Sequence, residues 1–243
     1  DQMKFNINKN IMLRGDILLL DFIAHNNWKR PVCFAITSGS SAYMGLQKYF
    51  RFDGMVYTLT PILREKKENQ QQQQDGWVNT DRLYDLIMNQ YKWGNMDSME
   101  LFIDGVMIKQ CKNYRSVFAR LAEELIKEKD FDRAEKILDK CLEVTPEYNV
   151  PFDITLYPIV ESYYRIGQKE KGMDLAQQIA EHAEIDLNYY SKVDREKQKQ
   201  VRDEIGRALF LLQRFQALAE RAGQDEFAAD LKQSLEASQR SLM

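Results

Sequence analysis

The feature that most narrows the fold is a spacing in the second half of the chain. Counted from Arg115, Phe118, Leu121, Ala122 and Leu125 fall at positions 4, 7, 8 and 11. Ala134, Leu138, Cys141 and Pro146 follow at 20, 24, 27 and 32. Apolar residues three and four apart line one face of a helix, so each run predicts a helix. Small residues at 8 and 20 let the two helices cross closely, and the proline stops the second. Counting again from Asp153 puts Leu156, Ile159, Val160 and Tyr163 at the same early positions. Gly167 then falls at the turn, Gly172 at 20, and Ala176 and Ile179 at 24 and 27, with Glu184 where the proline would stand.

These positions resemble those of tetratricopeptide repeats, units of about 34 residues that stack as helical hairpins. The resemblance predicts repeats over about 115–148 and 153–186. Capping helices follow over 187–240: a long one at Val193–Arg221, a break at Ala222-Gly223, and a shorter partner from Gln224 to Ser238. Such stacks present a curved surface rather than chemistry. By repeat geometry its inner face carries Ser116, Ala119, Glu123 and Ile126, then Ile154, Tyr157, Glu161 and Tyr164. Glu123 and Glu161 disfavour a carboxylate-ended peptide there, and the Tyr and Ile residues suit an apolar or sugar-like partner. The competing reading is that so short an array buries this face against its own neighbouring domain.

The first half has a different texture. Residues 1–113 hold 14 basic and 12 acidic side chains, and residues 114–243 hold 20 and 25, which places a domain boundary near Tyr114. Pro31–Thr37 reads as a short buried strand and Met55–Thr60 as a second, ended by Pro61. Asp16 is placed to cap a helix over Ile17–His25 that stops at Asn26-Asn27, although the run Ile17–Ala24 also suits a buried strand. Helices are expected at Ala42–Phe50 and, capped by Thr80, from Asp81 to about Tyr91. The glutamine-rich stretch 64–75 reads as a mobile surface loop. The predicted fold class is therefore α+β and mostly α: a small N-terminal α/β part, 1–113, packed on a tetratricopeptide-like helical-hairpin stack, 114–243.

Two segments of the N-terminal part carry candidate contacts. In Asn26–Pro31, Trp28 offers a stacking face for a sugar, with Asn27 and Arg30 as hydrogen-bonding groups; the plainer reading is a helix stop in which Trp28 anchors the strand entry. Ser38, Gly39 and Ser40 lie between a predicted strand and a predicted helix, where free backbone N–H groups can cradle a phosphate; the plainer reading is a capped turn.

Composition excludes several classes. With 34 basic and 37 acidic residues the net charge is −3, whereas a nucleic-acid binder needs a basic face. No apolar run approaches the ~20 residues that span a bilayer, so no direct membrane insertion by this region is expected. The start has no apolar core of a signal peptide. A first residue of Asp rather than Met fits a segment of a longer polypeptide. The odd set Cys33, Cys111 and Cys141 argues against a disulfide framework. His25 and His182, far apart and without C-x-x-C or H-x-x-x-H, give no metal spacing. No cofactor motif and no catalytic constellation is legible: G-x-S-x-G and a Cys–His pair at a known spacing are missing.

Four segments together resemble one family: Gly15-Asp-Ile-Leu-Leu-Leu-Asp-Phe-Ile-Ala-His-Asn-Asn-Trp-Lys-Arg-Pro-Val-Cys-Phe-Ala35, Tyr43–Phe50, Asn113–Ala122 and Pro146–Pro151. They resemble the C-terminal soluble region of large multi-pass membrane proteins of Bacteroidetes-type bacteria, which are similar to C-superfold glycosyltransferases, the group of the protein O-mannosyltransferases. The resemblance implies a catalytic acid in the membrane part, so that none is carried onto this chain. It implies an extracytoplasmic, periplasmic accessory domain, with the membrane part of the same polypeptide and a protein or glycan acceptor as partners. Two alternatives stay open: a free-standing cytoplasmic repeat adaptor, and a small enzyme binding phosphate or a nucleotide-sugar at the Thr37–Ser41 turn.

Overall fold

In the computed structural model the described residues are 3–7, 9–63 and 75–242. Most of the glutamine-rich stretch, 64–74, lies outside them. The fold is α+β and mostly α, as predicted. It divides into two compact units, Asp1–Tyr91 and Lys92–Met243. This division falls ahead of Tyr114, because the helix Gly105–Lys127 runs unbroken through that position.

The first unit is built on four short strands, β1 (Cys33–Ala35), β2 (Phe50–Phe52), β3 (Val56–Leu59) and β4 (Trp77–Val78). Their order is β1-β3-β2-β4, with β3 antiparallel to both neighbours and β4 parallel to β2. Phe34, Tyr43, Leu46, Tyr49, Phe50 and Leu59 form the core. Phe50 sits at its centre, with ring centroids 4.9 Å from Phe34 and 5.2 Å from Tyr43. Asp53 closes the β2–β3 turn: it accepts two bonds from Arg51, each 2.8 Å, and one from the Thr58 hydroxyl at 2.7 Å.

Helix α1 (Arg14–Asn26) covers this core through the partly buried Leu19 and Ile23. Of the two readings of Ile17–Ala24, the helix is the one formed. Asp16 does not stand at its cap. It sits at the third helical position and accepts a bond from the backbone of Leu13 at 2.9 Å, closing the first turn from inside.

The helix expected over Ala42–Phe50 is replaced by two 3-10 turns, Ser40–Tyr43 and Gln47–Tyr49, and Phe50 already belongs to β2. Met44 and Gly45 between them are left-handed, at φ 50° and 84°, which ends any α-helix. A Cβ at Gly45 would lie 2.1 Å from the Asn6 carbonyl oxygen, so only glycine fits. Helix α2 (Thr80–Asp85) is capped by Asn79, not Thr80: the Asn79 side chain accepts from the Arg82 N–H at 2.9 Å. One π-turn, Leu86–Gln90, continues it.

The second unit is helical: α3 (Gly105–Lys127), α4 (Phe131–Val144), α5 (Tyr157–Arg165), α6 (Lys169–Ser191), α7 (Arg195–Gln200), α8 (Arg202–Ala222) and α9 (Asp225–Leu242). Short connections make neighbours of α3 and α4, α5 and α6, and α8 and α9. Gly167, at φ 86°, makes the second of these turns and Gly223, at φ 73°, the third. The single helix predicted over Val193–Arg221 is interrupted at Val201, whose ψ of 20° separates α7 from α8. The apolar faces interlock as their spacing requires. Phe118, Leu121, Leu125, Leu138, Leu156 and Ile159 are fully buried, each contributing roughly 1.5–3 kcal/mol for a side chain of that size.

Candidate functional site

The most constructed place in the helical unit is the segment Thr145–Thr155, which links α4 to α5. Its organiser is Arg115, a charged side chain on α3 with no exposure at all. The guanidinium donates to the Val150 carbonyl at 2.6 Å, to the Pro151 carbonyl and the Thr155 hydroxyl at 3.1 Å, and to the Thr145 hydroxyl and carbonyl at 3.3 and 3.4 Å. Burial pushes its pKa down, opposed by the nearby Cys141 and Asp153. The planar five-donor fork is what lets one side chain satisfy so many carbonyls of an irregular segment. Asn149 performs the same task on the other side, accepting from the Leu101 N–H at 2.7 Å and donating to the Met96 and Met99 carbonyls at 2.8 Å.

The segment so fixed forms one wall of a recess of about 540 Å³. The other walls come from α3, α6 and α8. Its floor is apolar, with Phe152, Ile179, Ala183 and Leu211. Its rim carries both signs of charge. Lys112 pairs with Asp153 at 2.8 Å, and Arg207 with Glu204 at 3.1 Å. Burial would raise the Asp153 carboxyl, but the bonds from Lys112 and Thr155 outweigh it and hold the pKa below the usual carboxylate value. At Tyr190 burial, with the charges of Asp186 and Glu204, pushes the phenol up. An apolar floor with a few convergent polar groups is the usual make-up of a recognition site.

A second recess, about 630 Å³, lies between α6 and the start of α9. Glu181, Glu184, Asp225, Glu226 and Asp230 line it together with Met173, Phe227 and Leu231. Among the described residues no group of three or more His, Cys, Asp or Glu side chains could hold a metal ion.

Of the residues predicted for an inner groove, Ile154 lines the first recess and the others line neither. Ala119 and Glu161 are half-buried on their helices, and Ile126 is buried. Glu123 pairs with Lys127 at 3.0 Å. Tyr157 stacks on Phe215 at 5.8 Å, with the Arg214 guanidinium 5.2 Å over its ring. The Tyr164 hydroxyl donates to Gln224 at 2.5 Å. Both tyrosines are thus spent on α8 and the turn after it. The recess residues Lys112, Asp153, Arg207 and Tyr190 had one sequence signal: Lys112 and Arg115, three apart on a helix, with an Asp placed to cap the next helical segment.

In the first unit, Asn26 closes the Asn26–Arg30 loop, donating to the Arg30 carbonyl at 2.7 Å and accepting from its N–H at 3.2 Å. Asn27 and Trp28 are both left-handed, at φ 45° and 58°. That conformation is uncommon for Asn and a genuine outlier for Trp. The Trp28 side chain is half exposed. Arg30 is exposed beside it in sequence. Ser38 and Gly39 precede, and Ser40 opens, a four-residue 3-10 turn rather than an α-helix, and the Ser38 carbonyl accepts from the Tyr43 hydroxyl at 2.5 Å. The helix start that a phosphate cradle needs is not formed there.

The class these features define is an α+β protein in two units, one a small sheet with a covering helix and the other a run of helical hairpins with a preformed recess. Its N-terminal unit has a relative among known families: the model described as TMEM260-associated domain 2 matches residues 1–82, a membrane-protein-associated domain. The match takes in α1, the four strands and the first residues of α2. No curated protein and no solved structure matches the chain. Among the described residues no helix is long and apolar enough to cross a membrane.

Proposed function

We propose that the chain is a non-catalytic accessory domain of a membrane-embedded, glycosyltransferase-like protein, held on the extracytoplasmic face of a bacterial inner membrane and engaging a protein acceptor or a glycan. The observation that carries this reading is the match of residues 1–82 to a membrane-protein-associated domain. In this reading the helical unit is a tetratricopeptide-like stack. Support comes from the buried small residues Ala122 and Ala134 and from Gly172, where an added Cβ would lie 3.0 Å from the Tyr164 ring. The recess walled by Phe152 and Asp153 receives the acceptor, since the buried Arg115 fixes that wall in advance of binding.

The test is an antibody to this region, used on fractionated source cells with protease added to intact spheroplasts. The expected signal is membrane-bound, protease-sensitive, and carried by a polypeptide much larger than 28.6 kDa. A soluble, protected signal at 28.6 kDa overturns the reading and leaves a repeat adaptor in its place.

A further inference from the structure

Helix α1 uses one side to cover the sheet and leaves the other open. Leu13, Ile17, Leu18 and Phe22 are 65, 57, 68 and 45% exposed. Single exposed apolar residues are ordinary, but a contiguous set on one short helix marks a contact surface. At 100° per residue, Arg14 and Asp21 fall at the middle of the open arc, with Ile17 and Leu13 on one shoulder and Leu18 and Phe22 on the other. A bilayer is a poor cover for this face, because Asp21 would enter the apolar layer first. A protein surface is a good one if it offers a cation to Asp21 and an anion to Arg14.

We propose that this cover is α1 of a second copy, packed antiparallel about a two-fold axis passing between Ile17 and Leu18. The register follows from the sequence alone. It sets Leu13 against Phe22, Arg14 against Asp21 and Ile17 against Leu18, and by symmetry repeats each pair. Two reciprocal Arg14–Asp21 pairs then lie on the seam with apolar residues shielding both sides, the arrangement of a short antiparallel coiled coil. Parallel packing would oppose Arg14 to Arg14 and Asp21 to Asp21, so charge selects the orientation as well as the partner. Arg14 makes no ion pair within the chain among the described residues, and Asp21 meets only His25, at 3.1 Å. Two 13-residue helices bury on the order of 1,000 Å² in all, near the lower limit for a specific interface, so association in the micromolar range is expected. The inference does not rest on the membrane reading above.

Analytical ultracentrifugation of the full chain over a dilution series tests it, with circular dichroism to show that each variant keeps its helix content. The unaltered chain is expected to pass from monomer to dimer. Leu18→Asp should weaken the dimer by about 30-fold or more, and Arg14→Asp or Asp21→Arg alone by about 10-fold, on the scale of a lost central contact. The double exchange Arg14→Asp with Asp21→Arg should return association to within about threefold, as a coupled pair requires. A chain that stays monomeric at about 500 µM, far above a micromolar dissociation constant, overturns the proposal. So does a dimer indifferent to Leu18→Asp, or a double exchange no better than its parts.

Discussion

Replacing Arg115 by Met keeps most of the aliphatic volume and removes all of the donors. The Val150 carbonyl, bonded at 2.6 Å, and the Thr145 carbonyl, at 3.4 Å, then lie among residues with no exposure and have no guanidinium to meet. Each buried acceptor left bare costs about 1–3 kcal/mol. Asp153 is not stranded, because Lys112 still pairs with it at 2.8 Å, so the larger penalty of an uncompensated buried charge is avoided. The expected loss is therefore about 3 kcal/mol, from two acceptors near the middle of that range. Far-ultraviolet circular dichroism reads chiefly the helical unit. With a urea slope of about 2 kcal/mol per molar, the midpoint should fall by roughly 1.5 M. Hydrogen exchange should place the loss in Thr145–Thr155 before it spreads to α3 and α4. Lys at this position supplies one charged centre where a fork is needed and should recover less than half of the loss. A Met variant within about 0.5 kcal/mol of the parent, the scale of an ordinary surface substitution, would refute the view that Arg115 organises this wall.

Other consequences are simpler. Gly172→Leu forces a side chain into the 3.0 Å approach of Tyr164 and should cost about 1–3 kcal/mol by overpacking, seen as a lower thermal midpoint. Asp153 has a native pKa below its unfolded one. The unfolded state therefore takes up the proton first as pH drops, and the stability Asp153 contributes, present above about pH 4, is lost below it. Urea midpoints of the parent should fall more steeply than those of Asp153→Asn as the pH is taken from neutral down through and below about pH 4, the ordinary carboxylate range. Cys141 is buried, which pushes its thiol up to about 12, and burial also raises that of Cys111. Only the exposed Cys33 should react with a thiol reagent at mild alkaline pH, so a native titration should count one thiol and a denatured one three.

What the sequence made legible was periodicity. The spacing of Phe118, Leu121 and Leu125 placed α3 on the right face, and Gly167 and Gly223 marked two turns that both need positive φ. Both predicted strands formed, though trimmed: Cys33–Ala35 inside Pro31–Thr37, and Val56–Leu59 inside Met55–Thr60. Where local and tertiary demands differed, prediction failed in an explicable way. Tyr43, Leu46 and Tyr49 recur every third residue, which reads as the edge of a helix. In the structure the three enter one core from two 3-10 turns, because the left-handed Met44 and Gly45 redirect the chain against Asn6. Asn79 capped α2 in place of Thr80 because either residue suits the role, and only the position of the Arg82 N–H decides between them.

Site residues were harder to see than fold residues, and the reason is physical. A residue's place on a helix wheel says which way it points, but not whether a neighbour will cover that direction. Phe215 of α8 stacks on Tyr157 and Gln224 bonds the Tyr164 hydroxyl, so neighbours fill the space in front of both. On α1 the converse holds. A run of Ile, Leu and Phe long enough to bury on both sides suggested burial, yet the α1 residues that pack against the core beneath are Leu19 and Ile23. The remaining apolar surface is left over from a core already complete, as is the Arg14–Asp21 pair at its centre. Stability of the unit does not require those residues to be apolar, since about 0.8 kcal/mol per methylene is returned only on burial. Something outside this core must therefore account for them. A partner with the same two charges in reverse order, which α1 itself supplies, is the smallest addition that does so.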